Sequence, residues 1–154
     1  MKIVEIEWHP RIQVETDQET WDYSLSNIPK ACLSRSSFYC IYGYHPVYGP
    51  DVLLYIGETK KTDGSSRDVS KRVREHLSGR FWAHTYLSIS IGVPNKDLDR
   101  EAVEAIESIL IAAHMPALNR KHIDCALPTA KKYLVRNYGF VRSLVTECSG
   151  GYWC

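Results

Sequence analysis

Ser37-Phe38-Tyr39-Cys40-Ile41-Tyr42-Gly43-Tyr44 and, beyond His45-Pro46-Val47-Tyr48-Gly49-Pro50-Asp51, Val52-Leu53-Leu54-Tyr55-Ile56-Gly57 make up the stretch from which the architecture is read. The first run is rich in aromatic and β-branched residues, the second is a short apolar run, and the Pro and Gly residues between them mark a turn, so the two read as a β-hairpin. A turn symmetric about Tyr48 and Gly49 sets Tyr42 opposite Tyr55 on one face, with Cβ atoms about 5 Å apart. Alone, such a pair is a common aromatic packing contact.

Upstream, Val4, Ile6 and Trp8 alternate with Glu5 and Glu7, which predicts a half-buried strand over 2–8, while 9–35 carries no clear period. Downstream, 59–67 is a polar loop; Val69, Val73, His76 and Leu77 then recur at helical spacing, with Gly79 placed to end the helix. Leu87, Ile89, Ile91 and Val93 alternate with Ser88, Ser90 and Gly92 as a further strand. Asp97 or Asp99 caps a second helix whose stripe is Val103, Ile106, Ile109, Leu110 and Ala113, and Pro116 forbids its continuation. Lys132 to Val145 reads as a strand pair turning at Asn137-Tyr138-Gly139. Interleaved helices and a mainly antiparallel sheet predict an α+β arrangement.

A chain of 154 residues, with 44% hydrophobic and 24% charged residues, reads as a single domain over 1–154 and excludes a mainly disordered, collagen-like or disulfide-dominated protein. No apolar run approaches the roughly 18 residues of a membrane span. Acidic residues near the start, where a signal peptide needs an apolar stretch, and five cysteines without metal or redox spacing predict a reduced, cytoplasmic protein. The net charge is only +1, but residues 1–27 carry −4, 58–80 carry +3 and 119–142 carry +5, a distribution that permits a polyanionic partner. His45, His84, His114 and His122 show no metal-cluster spacing, His9 shows no evident role, and Trp8, Trp21, Trp82 and Trp153 read as core or interface aromatics.

Two helical positions carry chemistry. Arg72 and His76, four apart, share a face, where a forked guanidinium and an imidazole suit a phosphodiester, although a solvated helix face has the same spacing. Glu107 emerges among Val103, Leu110 and Ile111, where a bare carboxylate is costly, so it requires a basic partner or a cation; Glu104, one turn earlier, is the alternative ligand.

Cys40-Ile41-Tyr42 and Tyr55-Ile56-Gly57 resemble the two tripeptides that name the GIY-YIG nucleases, with Cys40 in place of the first glycine. Arg72-Val73-Arg74-Glu75-His76 is similar to the helix in which that family carries an Arg and, in many members, a His. Glu107-Ser108-Ile109-Leu110-Ile111, then Met115-Pro116-Ala117-Leu118-Asn119, resembles its metal-binding Glu followed by a proline and, twelve positions after the Glu, an Asn. The resemblance covers 37–120 as a catalytic core, leaving 1–36 and the basic 121–154 as terminal extensions.

It implies a three-stranded antiparallel sheet flanked by helices and a metal-dependent DNA endonuclease that hydrolyses phosphodiesters, as a restriction-like, repair or mobile-element enzyme. By the same resemblance Tyr42 activates the attacking water, as a base or by orienting it, and Tyr55 bonds the phosphate or nucleophile. Arg72 stabilises phosphoryl charge, His76 assists, Glu107 holds one Mg2+ or Mn2+, and Asn119 supports the site. Lys60, Lys61, Arg67, Arg74, Lys121, Lys131 and Lys132 are the candidate DNA contacts. Cutting two strands leans toward a homodimer. The alternatives are a DNA-binding or regulatory module of the same fold without turnover, and a nuclease acting on RNA.

Overall fold

β1 (Lys2–Trp8) turns Val4, Ile6 and Trp8 inward, as its alternation predicts. The computed structural model describes residues 1–17, 19–20, 22–26, 28, 32, 36–59, 69–81 and 86–153. Further along are β2 (Ile12–Gln13), β3 (Glu15–Thr16), β4 (Tyr23–Ser24), β5 (Ser37–His45), β6 (Gly49–Thr59), α1 (Val69–His76), β7 (Ser88–Pro94), α2 (Arg100–His114), β8 (Tyr133–Gly139) and β9 (Glu147–Ser149). Instead of stopping at Gly79, α1 runs on as a π-helical turn, Leu77–Phe81.

The sheet is where expectation and structure part. It is not a three-stranded antiparallel sheet flanked by helices but a seven-stranded mixed sheet in the order β6-β5-β7-β1-β8-β9, with β2 also on β7, and two α-helices among the described residues. The physical cause lies in β7, all seven of whose residues are buried, so that neither of its edges faces water and both must be paired. β5 occupies one edge; β1 and β2 share the other, interrupted at Pro10. β8 then pairs with β1 in parallel, Lys2 opposite Tyr133 through Trp8 opposite Gly139, and β9 closes antiparallel on β8. Instead of a strand pair turning at Asn137-Tyr138-Gly139, the tail runs straight through Gly139 and returns only at Glu147. β1 and β2 of the first terminal segment and β8 and β9 of the last are thereby strands of the same sheet as the hairpin, while β3 and β4 pair as a separate two-stranded sheet.

β5 is buried on both faces. Phe38, Cys40 and Tyr42 pack with Val103, Ile106 and Leu110 of α2, whereas Tyr39 and Ile41 pack with Val73 of α1 and the following Leu77. A strand covered on both sides shows no alternation in sequence. Its register with β6 therefore rests on the turn, which is not symmetric about Tyr48 and Gly49. Gly49 and Asp51 take positive φ, 89° and 58°, and register shifts follow between Gly43 and His45 and between Ile41 and Tyr42. Tyr55 thus faces Ile41, Gly57 faces Tyr39, and Tyr42 faces Leu53. A slip of one residue sends a side chain to the opposite face.

Of the two aspartates, Asp99 caps α2, its side chain accepting from the Ala102 N–H at 2.8 Å. Met115, left-handed at φ 43°, ends the helix before Pro116. Buried Ser108 joins helix to tail, donating to the Ala105 carbonyl and accepting the Leu127 N–H.

His114, at the end of α2, supplies a pH dependence. Its Nε2 accepts the Val145 N–H at 2.9 Å, so Nδ1 carries the proton that reaches the Leu110 carbonyl at 2.7 Å. Burial lowers its pKa below the usual histidine value, opposed by the Leu110 bond. A depressed folded value means that the stabilisation is complete above the unfolded pKa, near 6.5, and is lost as pH falls through the folded value. Between pH 7 and 5 the melting temperature of the wild type is expected to fall more steeply than that of His114→Gln; parallel thermal-melt profiles would refute this.

Candidate active site

β6 is the outer strand of the sheet, and three alternate residues of its open edge are used in succession. The Leu54 carbonyl accepts the Leu118 N–H at 2.8 Å. Asn119 then does what a neighbouring strand residue would: its Oδ1 accepts the Ile56 N–H and its Nδ2 donates to the Ile56 carbonyl, each at 2.9 Å. Two such bonds are worth about 1 kcal/mol each, and more if one Ile56 group were left buried and unmade. Two residues on, the Glu58 N–H donates to the carboxylate of Glu107. Strand periodicity therefore lines up Asn119 and Glu107 along one edge.

Beside that edge three rings converge. Tyr55 lies 6.2 Å from Tyr39 and 5.0 Å from His76, and Tyr39 lies 6.1 Å from His76, centroid to centroid. Gly57 allows the arrangement, because a Cβ there would sit 2.5 Å from Cζ and the hydroxyl of Tyr39 and 2.8 Å from Cε1 of Tyr55. Tyr39 is fully buried, and its hydroxyl has no hydrogen-bond partner among the described residues. Burial first, then Tyr55, holds its pKa well above the tyrosine norm, so the hydroxyl keeps its proton at neutral pH.

These groups line a cleft of about 360 Å³. Five of the six predicted site residues meet there: Tyr55, Arg72, His76, Glu107 and Asn119. Burial first, and then the Glu58 carboxylate, push Glu107 up to about 7, with Arg72 pulling the other way. Arg72, 3.7 Å from Glu75 on the exposed side of α1, thus faces an acidic wall made by Glu58 and Glu107, and Arg120, Lys121 and His122 line the cleft just after Asn119.

Tyr42 is not part of this assembly. It packs on the α2 face, 2% exposed, where its hydroxyl accepts from Ser143 at 3.1 Å and the Arg11 guanidinium stacks 3.6 Å from its ring, Arg11 itself pairing with Asp51. The reason is the register: the bulge next to Tyr42 puts Tyr39, three residues earlier, on the face of Tyr55. Tyr39, Glu58, Arg120 and His122 were missed by sequence reasoning. Glu58 directly follows Gly57, but only the paired edge shows it to be near Glu107, and Tyr39 needed the register.

Among the DNA-contact candidates, Lys121 lines the cleft, while Arg74 and Lys131 are exposed elsewhere and Lys132 pairs with Glu101. Lys60, Lys61 and Arg67 lie outside the described residues, as do Trp21, Trp82 and His84. Trp8 is buried on a hydrogen bond to Asn137, and His45 accepts two N–H groups of its own turn. Among the described residues no group of three or more His, Cys, Asp or Glu is placed to hold a metal ion, and no helix is long and apolar enough to cross a membrane. Comparisons with protein-family models, with curated proteins and with solved structures find no match.

Proposed function

We propose that the cleft hydrolyses phosphodiester bonds of DNA with one divalent cation, Mg2+ or Mn2+, held at Glu107, in the manner of the GIY-YIG nucleases that the motifs resemble. The observation that carries this reading is the convergence of Tyr39, Tyr55, Arg72, His76, Glu107 and Asn119 on one cleft from β5, β6, α1, α2 and the segment after α2. The donors suit a hard cation, because Mg2+ takes one or two carboxylates, water and a substrate phosphate rather than an all-protein cage. The Tyr39 hydroxyl, buried and without a partner among the described residues, suits a bound oxygen ligand as well.

A cation at Glu107 supplies Lewis acidity on the phosphate and stabilises the departing alkoxide. Arg72 holds the non-bridging oxygens and meets the charge that builds on them in the transition state. With its proton retained, Tyr39 is a donor rather than a base and orients either the phosphate or the attacking water. His76 takes the water's proton, imidazole being the side chain whose basicity lies nearest neutrality. Tyr55, packed beside both rings and lining the cleft, bonds the same phosphate or the attacking water, while Asn119 fixes the strand edge that aligns Glu107. As water adds to phosphorus, the bond to the leaving oxygen breaks.

Lys121 and Arg120 extend the phosphate grip beyond the reacting group, and such contacts hold DNA without reading its sequence. Acting on both strands of a duplex, the protein works as a homodimer in the cytoplasm. The test is cleavage of supercoiled plasmid and of RNA of the same sequence, with Mg2+, Mn2+ or chelator. Metal-dependent nicking of DNA is expected, and Arg72→Ala, still folded, is expected to lose roughly 100-fold or more in rate. Folded wild-type protein that binds DNA in a salt-sensitive way without cutting it would replace the enzyme reading by a binding module, and cutting confined to RNA would move the substrate.

A further inference from the structure

We propose that Glu58 is a second carboxylate ligand of the cation assigned above to Glu107, so that the ion is gripped from the sheet edge and from α2 together; the inference rests on that functional reading. Three observations converge on it. Glu58 and Glu107 line one cleft, and the backbone N–H of Glu58 donates to the Glu107 carboxylate, which ties the two residues to each other. Glu58 stands opposite Phe38 in the β5–β6 register, and Phe38 packs with the α2 residues, so its side chain leaves the strand on the face that α2 covers.

Independently of both acids, Tyr39 lines the same cleft, and its buried hydroxyl has no hydrogen-bond partner among the described residues. A buried hydroxyl calls for a partner, and an oxygen from the shell of a bound cation or from its phosphate provides one.

Among the described residues, Arg72 acts on Glu107 and also lies 3.7 Å from Glu75. Arg100, within electrostatic range of Glu58, is bonded to Glu104 at 2.6 Å. Two carboxylates with the remaining positions given to water and phosphate is an arrangement that Mg2+ adopts.

The experiment is titration of the full chain with Mn2+ by calorimetry, without DNA, alongside thermal melts with and without the ion. Glu58→Gln is expected to weaken Mn2+ binding about 10- to 100-fold, as Glu107→Gln does, since losing a ligand costs at least what losing an outer-shell contact does. Without metal it should melt no lower than wild type, because a repulsive pair has been relieved. Glu58→Asp, which keeps the charge, should retain part of the affinity and answers for the site if the Gln variant does not fold.

Two results overturn the assignment while leaving the functional reading intact. In one, Glu58→Gln binds Mn2+ as wild type does while Glu107→Gln does not. In the other, Glu58→Gln melts lower without metal and keeps the full Mn2+ shift, which marks a structural ion pair. Wild type that neither binds Mn2+ nor cuts DNA removes both.

Discussion

Cleavage of supercoiled DNA by Glu107→Gln is expected to fall about a thousandfold while the protein remains folded. The size follows from what the carboxylate would hold in the proposed reaction: a divalent ion on the phosphate and leaving oxygen would be worth several kcal/mol of transition-state stabilisation, and each 1.36 kcal/mol is about tenfold in rate. Glutamine keeps the shape of the side chain, and its amide oxygen still accepts the Glu58 N–H that Glu107 accepts. Repulsion from Glu58 disappears with the charge, so the metal-free variant should melt no lower than wild type. Loss of cutting in a protein of undiminished stability separates a chemical role from a structural one. If Glu107→Gln cuts at the wild-type rate with Mg2+ and not with chelator, the cation sits elsewhere and Glu107 is only a buried acid held by a strand edge.

How far the sequence could lead depended on the range of the interaction involved. β1 was legible because one of its faces is covered and the other is not, so Val4, Ile6 and Trp8 alternate. Both ends of α2 were legible from local chemistry, an aspartate cap and a proline. The other half of the sheet was not, because β1 pairs with β8 across nearly the whole chain and no local pattern encodes a parallel partner. β7 advertised its strand character by alternation, yet it is buried on both faces, and the serines and glycine that interrupt its apolar residues pack inside rather than face water.

The site divided along the same line. Arg72 and His76, one helical turn apart, and Glu107 with Asn119, joined by a short helix end, depend on local geometry and do meet in the cleft. The tyrosine on β5 depended on a register, and registers are set by turns. Gly49 and Asp51, both left-handed, and the shift beside Tyr42 moved the pairing by one residue, which was enough to exchange Tyr42 for Tyr39. Gly57 was readable as the last residue of its tripeptide; that a side chain there would crowd Tyr39 depends on the fold.

That exchange yields a crossed pair of outcomes. Tyr39→Phe removes a buried hydroxyl that has no hydrogen-bond partner among the described residues, and such a group costs about 1 to 3 kcal/mol when left unmade, so the metal-free variant should be as stable as wild type or more so. Its cutting rate should nonetheless fall by roughly 100- to 1000-fold, the range typical of losing one preorganised donor to reacting oxygens. Tyr42→Phe should behave in the opposite way. It gives up the 3.1 Å bond from exposed Ser143 and the hydrogen bond with buried Cys40, and should lose about 1 to 2 kcal/mol of stability with turnover unchanged. The Arg11 stack survives, since phenylalanine keeps the ring, so the loss is confined to the hydroxyl's own bonds. Measured as chemical-denaturation midpoints and initial rates on one plasmid, the two variants should separate along different axes. If Tyr42→Phe is the slow enzyme and Tyr39→Phe the fast one, the face of β5 that meets the substrate is the one that α2 covers here, and the cleft beside Tyr55 is not where DNA is cut.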